Sequence, residues 1–442
     1  MGDMRTRRAL TVARRRLFAS DALTWHCHAV ASPLALYFEE TLALLGEAQD
    51  IVGGRPHYDA PPEWAESRDW SGFLSRLTDA QVVEAEHDPG VWLAACAEAP
   101  ASLRALGRRA TAIVERYEFS GESTTAPKAR RHVKKRKSAQ LHALCTVAAL
   151  RFEGVERIID LGSGHGHLTR ALALTLRPHE TLGVDWDDAR IARAIDLSAA
   201  SPDDAPVDAP RFVHGDASRA DAGAHRDDVK TRDLVTGLHP CGALGDALVT
   251  RARTAGAHVL AVSCCYQKTD SAYRRPLSEQ GRAANFVVPR EALGLANLSP
   301  RSFDGSGTLD VKRTGRRTRL ALRLALEARG LVLEQGAEGN GISKGRVRHG
   351  LSVIAPGAFA ARGLSAPTND ELDLAEARAI SAHAHVARFA LPRHALSRPL
   401  EVAIVLDRAR YLEEAGWRTD VVTLFPPGTS PRNLGIVANA PT

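Results

Sequence analysis

The chain has 442 residues, 44% of them hydrophobic and 25% charged, with a formal net charge of +6. This is the makeup of a folded protein with room for two or three domains, and it excludes a disordered or low-complexity chain. No apolar run reaches the roughly 18 to 20 residues of a membrane span, and no continuous hydrophobic segment follows the basic N-terminal stretch, so a cytoplasmic location is expected.

Residues 1–125 read as an N-terminal helical domain. Trp25, Trp64, Trp70 and Trp92 are spaced as packing anchors, and "IVGGRPHYDAPPEW" is a loop between helices. In "WHCH", Trp25 to His28, a helix would splay the neighbouring side chains onto different faces, so no metal is assigned there. The six cysteines, Cys27, Cys96, Cys145, Cys241, Cys264 and Cys265, contain no C-x-x-C pair. Adjacent Cys264 and Cys265 cannot both reach one tetrahedral ion without strain, so reduced thiols and no metal are expected.

Next comes "KARRHVKKRK", with Lys128, Arg130, Arg131, Lys134, Lys135, Arg136 and Lys137. Arginine outnumbers lysine fifty to eight in this chain, a bias read as codon usage in a GC-rich genome, yet this run holds half of the lysines. Codon bias does not account for it, so contact with the phosphates of RNA is set against a plain solvated linker.

"VERIIDLGSGHGHLTRALALTL" is a buried strand ending in Asp160, a glycine turn and a helix. Gly162, Gly164 and Gly166 let the backbone turn tightly and approach a ligand, and the helix N-terminus offers free N–H groups. The third glycine of a dinucleotide fingerprint is absent, since His167 holds its place. Two more strands follow, "ETLGVDWDDARIARAI" ending at Asp185 and "RFVHGDAS" ending at Asp216. "DLVTGLHPCG" is a fourth strand that stops on a turn carrying His239, Pro240 and Cys241, and "HVLAVSCCYQ" is a fifth. "PLEVAIVLDRARYLEEAGW" reads as a late helix, and "TDVVTLFP" with "NLGIVANA" as an antiparallel hairpin closing the sheet.

The D-L-G-S-G-x-G pattern resembles motif I of the class I S-adenosylmethionine-dependent methyltransferases. This implies an α/β, Rossmann-like methyltransferase sheet with a closing antiparallel hairpin, carrying an N-terminal helical domain and a helical insertion. "GLHPCGALGDAL", "SCCYQK", "LDRARYLEEAG" and "LFPPGTSPRNLGIVA" are similar to segments of the methyltransferase-like protein 25 family and its bacterial relatives, from about residue 130 onward. Two departures stand out: Lys137 stands where that family has a His, and Ala243 replaces the acid after "HPCG".

The resemblance implies S-adenosyl-L-methionine as cofactor. Asp160, Gly162, Gly164 and Gly166 would hold its methionine end, Asp185 the ribose and Asp216 the adenine, with Ser163, Trp186, Ala217 and Leu238 also at the cofactor, while Leu238 to Gly242 and Cys264 to Tyr266 shape the acceptor side. His239, Pro240 and Cys241 would border the acceptor. A weaker resemblance to tRNA 2'-O-methyltransferases suggests His239 as a base titrating near neutral pH, and Cys241 is read as packing beside Gly242. The expected division is an N-terminal domain at 1–125, the cofactor half of the core at 126–266, a mainly helical insertion at 267–397 and a closing helix and hairpin at 398–442. Within the insertion, "KRTGRRTR" and "KGRVRHG" are expected to extend the positive surface. RNA is the favoured acceptor; a protein or small-molecule acceptor, or a non-catalytic scaffold, is the alternative.

Overall fold

The computed structural model describes residues 32–120, 133–200, 209–218, 229–298, 306–334, 336–342 and 344–442. Trp25 to His28 and Lys128, Arg130 and Arg131 lie outside the described residues. Among the described residues no helix is long and apolar enough to cross a membrane.

Among the described residues seven strands form one sheet: β1 (Arg157–Leu161), β2 (Glu180–Asp185), β3 (Arg211–His214), β4 (Leu234–Cys241), β5 (His258–Cys264), β8 (Arg418–Thr423) and β9 (Leu434–Asn439). Two short strands, β6 (Tyr273–Arg274) and β7 (Val288–Pro289), pair separately. The order is β3-β2-β1-β4-β5-β9-β8, parallel through β5 and antiparallel at β9 and β8. The closing hairpin expected from the sequence is therefore present. β1, β2 and β5 are buried almost without a break, as strands covered by helices on both faces must be. The order reverses between β1 and β4, which opens a crevice beyond their carboxyl ends.

The contacts divide the chain into two compact units, one of Met1–Gln49, Arg109–Ser299 and Leu396–Thr442, the other of Asp50–Arg108 and Pro300–Ala395. The last unit boundary falls beside residue 397, whereas 125 and 266 lie inside the first unit. In the first unit, helix Pro33–Glu47 packs on the late helix Ser397–Glu413, and Ser32 Oγ donates to Glu413 at 2.8 Å. The second unit is helical, with Leu322, Leu326, Ile354 and Phe359 at its centre. Trp64 and Trp70 are buried edge to face there, as anchors should be, and Trp92 is half-buried. Arg313 and Arg316 of "KRTGRRTR" turn to the buried Glu86, at 3.2 and 3.4 Å. A carboxylate out of water requires such partners, so these two arginines serve the helical unit's interior.

Candidate active site

The turn after β1 is held by its own backbone. Gly162 and Ser163 donate to the Val184 carbonyl at 2.8 and 3.0 Å, and Gly166 donates to Ser163 at 2.9 Å. All three glycines sit at positive φ. A Cβ at Gly166 would lie 2.4 Å from the Phe212 ring, whereas one at Gly164 would meet open space. A side chain at Gly164 would therefore be limited by its backbone conformation and not by a neighbour. The Ser163 hydroxyl is buried without a partner among the described residues.

Asp160 is fully buried and accepts from Thr169 Oγ1 at 2.7 Å. Burial pushes its carboxyl up to about 6, against the pull of the Thr169 hydroxyl and the Lys137 ammonium. Asp185, also buried, accepts from the Gly164 amide at 2.9 Å and the Asp187 amide at 3.1 Å, which ties the second strand end to the glycine turn. Trp186 beside it is 64% exposed, and its carbonyl lies 2.9 Å from His214 Nε2. Asp216 accepts from the Ser218 amide at 3.0 Å, and Ala217 is buried. The sheet order carries the ends of β1, β2 and β3 side by side, so the three expected acids lie along one edge of it.

β4 does not stop at His239. A bulge lies between Leu238 and Cys241, His239 takes φ +73°, and pairing resumes at Cys241 opposite Cys264. Leu238 and Pro240 are buried, while His239 and Cys241 are partly exposed. The His239 imidazole does not titrate near neutral pH as expected: burial, with Lys137 and Arg136 adding to it, pushes it down to about 4. Its Nδ1 is buried without a partner among the described residues.

Gly242 donates to the Cys264 carbonyl at 3.2 Å and Ala243 to the Lys268 carbonyl at 3.0 Å. A Cβ at Gly242 would lie 1.7 Å from that Lys268 oxygen, so only glycine lets the two loops touch. The result is unexpected. The sulfurs of Cys241, Cys264 and Cys265 all lie within 4.8 Å of one another, with Cys241 and Cys264 at 3.4 Å. Thiol hydrogen bonds from Cys241 and Cys264 hold the Cys265 thiol well below its usual range, and the same cluster pushes Cys264 up.

Two features escaped the sequence reading. Lys137 is turned away from the exposed Lys134, Lys135 and Arg136 and lies near Asp160, Cys264 and His239. Burial lowers its ammonium from the usual lysine range, with Asp160 and Cys264 opposing. Its phase was readable, because 137, 141, 144 and 148 share one helical stripe and Leu141, Leu144 and Ala148 are buried. The second is Glu401, buried on the late helix. Arg398 and Arg432 meet it at 2.6 and 3.2 Å, and Tyr266 donates to it at 3.4 Å. Asn433 donates to the Phe425 carbonyl at 2.8 Å. "SPRN" and "CCY" thus meet at one carboxylate, which fixes the loop after β5.

Residues 133–272 match the family model described as a methyltransferase domain. Among solved structures the chain is similar to the YcgJ protein of Bacillus subtilis, at 21% identity over 28% of this chain and 50% of that one, TM-score 0.22. It is similar to a putative RNA methyltransferase of Pyrococcus horikoshii, at 17% identity over 36% and 72%, TM-score 0.23. A third is a putative protein-L-isoaspartate O-methyltransferase of Plasmodium falciparum in complex with S-adenosyl-L-homocysteine, at 13% identity over 47% and 87%, TM-score 0.23. The chain spans half the length of the first of these. The family match and the sheet order support a methyltransferase domain over residues 133–272, with S-adenosylmethionine as its cofactor. The site fits that ligand: a buried carboxyl for a cationic end, a Ser163 hydroxyl without a partner among the described residues and a glycine with open space beside it.

Proposed function

We propose that the chain is an S-adenosylmethionine-dependent methyltransferase that acts on RNA in the cytoplasm and stands with the methyltransferase-like protein 25 family. One observation carries the RNA reading. Lys134, Lys135 and Arg136 crowd the N-terminus of helix Lys135–Arg151, exposed and with no acid in the first turn, while the next residue lies at the site. Cations at a helix N-terminus oppose its dipole, and a polyanion relieves that conflict. Lys128, Arg130 and Arg131 precede them in sequence and extend the same run.

In this reading Asp160, Gly162, Ser163, Gly164 and Gly166 hold the methionine end of the cofactor, Asp185 and Trp186 the ribose, Asp216 and Ala217 the adenine. Leu238 packs beneath it, and His239, Pro240 and Cys241 border the acceptor. The bound cofactor supplies an electrophilic methyl. The protein's part is to hold the acceptor atom about 3 to 3.5 Å from it and in line, which turns a bimolecular displacement into a unimolecular one. Gly164→Ala places a methyl in that open space at a φ of +56°. It is expected to cost about 1 kcal/mol of stability and to weaken S-adenosylhomocysteine binding about tenfold, read by calorimetry.

The acceptor class is tested by mass spectrometry of RNA and proteome from cells with and without the gene, where one methylated nucleoside should disappear. Loss of a protein or small-molecule methyl mark alone replaces RNA as the acceptor. In a filter-binding titration, changing Lys134, Lys135 and Arg136 together to Gln should lower RNA affinity and reduce the salt slope by about 2, at about 0.7 per lost single-strand phosphate contact. Cofactor affinity should stay as it is. An unchanged slope makes the run a solvated linker.

A further inference from the structure

Cys241 and Cys264 end neighbouring strands and face each other in register, and Cys265 follows directly. Their 3.4 Å sulfur separation is far longer than the ~2.05 Å of a disulfide. Bonds of ~2.3 Å at tetrahedral angles put thiolate sulfurs ~3.8 Å apart around a zinc ion. That spacing lies between the 3.4 Å pair and the 4.8 Å limit of the whole cluster.

The backbone explains how adjacent cysteines converge. In an extended strand successive side chains point to opposite faces, so Cys264 and Cys265 would diverge. Cys265 instead takes φ +47°, and on the partner strand His239 takes φ +73° in the bulge before Cys241. Strain at two non-glycine residues, one beside each strand end, aims the three sulfurs at one point, and such strain gathers at functional sites. Lys268 and Arg432 stand near Cys265, where they offset the negative charge of a three-thiolate centre.

We infer that Cys241, Cys264 and Cys265 form a three-thiolate site for one soft d10 cation of the zinc type. Cys241 and Cys265 are partly exposed, which leaves the fourth coordination position to a ligand from solution. Binding releases the thiol protons to solvent, with no change of oxidation state. The site does not depend on the methyl-transfer reading, because its test reads metal alone.

The full chain, reduced and stripped with a chelator under argon, is titrated with Co2+ and then with Zn2+. One equivalent of Co2+ should produce a thiolate-to-cobalt charge-transfer band, and Zn2+ should bleach it. Cys241→Ser, Cys264→Ser and Cys265→Ser should each weaken Co2+ binding by more than the ~100-fold that a residue behind a ligand costs. Cys96→Ser, whose thiol meets Glu98, should leave the band unchanged. Circular dichroism of each variant separates ligand loss from unfolding, and partly exposed Cys265 keeps the test alive if a serine at buried Cys264 does not fold. No band at stoichiometric Co2+, or a band that survives Cys265→Ser in the folded protein, overturns the site.

Discussion

Asp160→Asn should make the ligand-free protein more stable at pH 8 while weakening S-adenosylmethionine binding about a hundredfold. The carboxyl is fully buried and is pushed from 3.8 up to about 6, with burial as the largest cause. A raised carboxylate pKa destabilises the fold wherever the group is ionised, and here that penalty amounts to ~3 kcal/mol well above pH 6. As pH falls through 6 toward 3.8 the folded state takes up the proton first and the penalty disappears. The asparagine never carries it, and its carbonyl still accepts from Thr169. Wild type should therefore gain on the variant in thermal unfolding as pH is lowered from 8 to 4.

Binding has the opposite sense. A cationic ligand gains from a charged acceptor about 1.5 to 3 kcal/mol, or roughly 10- to 150-fold in affinity. Below about pH 6 the wild-type proton must leave before the ligand binds, so affinity should fall toward tenfold per unit. The variant should show no such slope. Calorimetry from pH 5 to 8 decides it: equal wild-type affinity across that range removes Asp160 from contact with the ligand's charge.

The placement of the three acids was legible because each acid ends an apolar run and the runs alternate with helices, so one reading of strand order brings Asp160, Asp185 and Asp216 to one edge. The closing hairpin was legible for the same local reason. The cysteine cluster was not. Its members lie 23 residues apart or side by side, and they meet only because β4 pairs with β5 and two residues adopt left-handed conformations. Neither is a spacing. The helical unit was illegible in another way. Asp50–Arg108 and Pro300–Ala395 each read as helices with apolar faces, and nothing local says that the faces belong together. Lys137 was hidden by its company, since a basic run masks the one member in phase with a buried stripe.

His239→Ala separates the two acceptor chemistries. A hydroxyl must lose its proton as the methyl arrives, and removing a positioned base costs about a hundredfold in turnover. An amine that is already neutral needs no base, so its loss should be small. The imidazole is held down at about 4, chiefly by burial and further by Lys137 and Arg136, so it is neutral and able to accept a proton throughout pH 6 to 9. Its contribution should be flat across that window, with no inflection near 6.5. Lys137→Gln removes one of the cations that depress it, and should move the acid limb of the profile upward. Single-turnover methyl transfer at pH 4 to 9 reads both. An unchanged rate in a folded His239→Ala enzyme with normal cofactor affinity would place the base elsewhere or show that the acceptor needs none. A wild-type inflection near 6.5 that vanishes in the variant would mean that the burial and the neighbouring cations no longer hold His239 down during turnover.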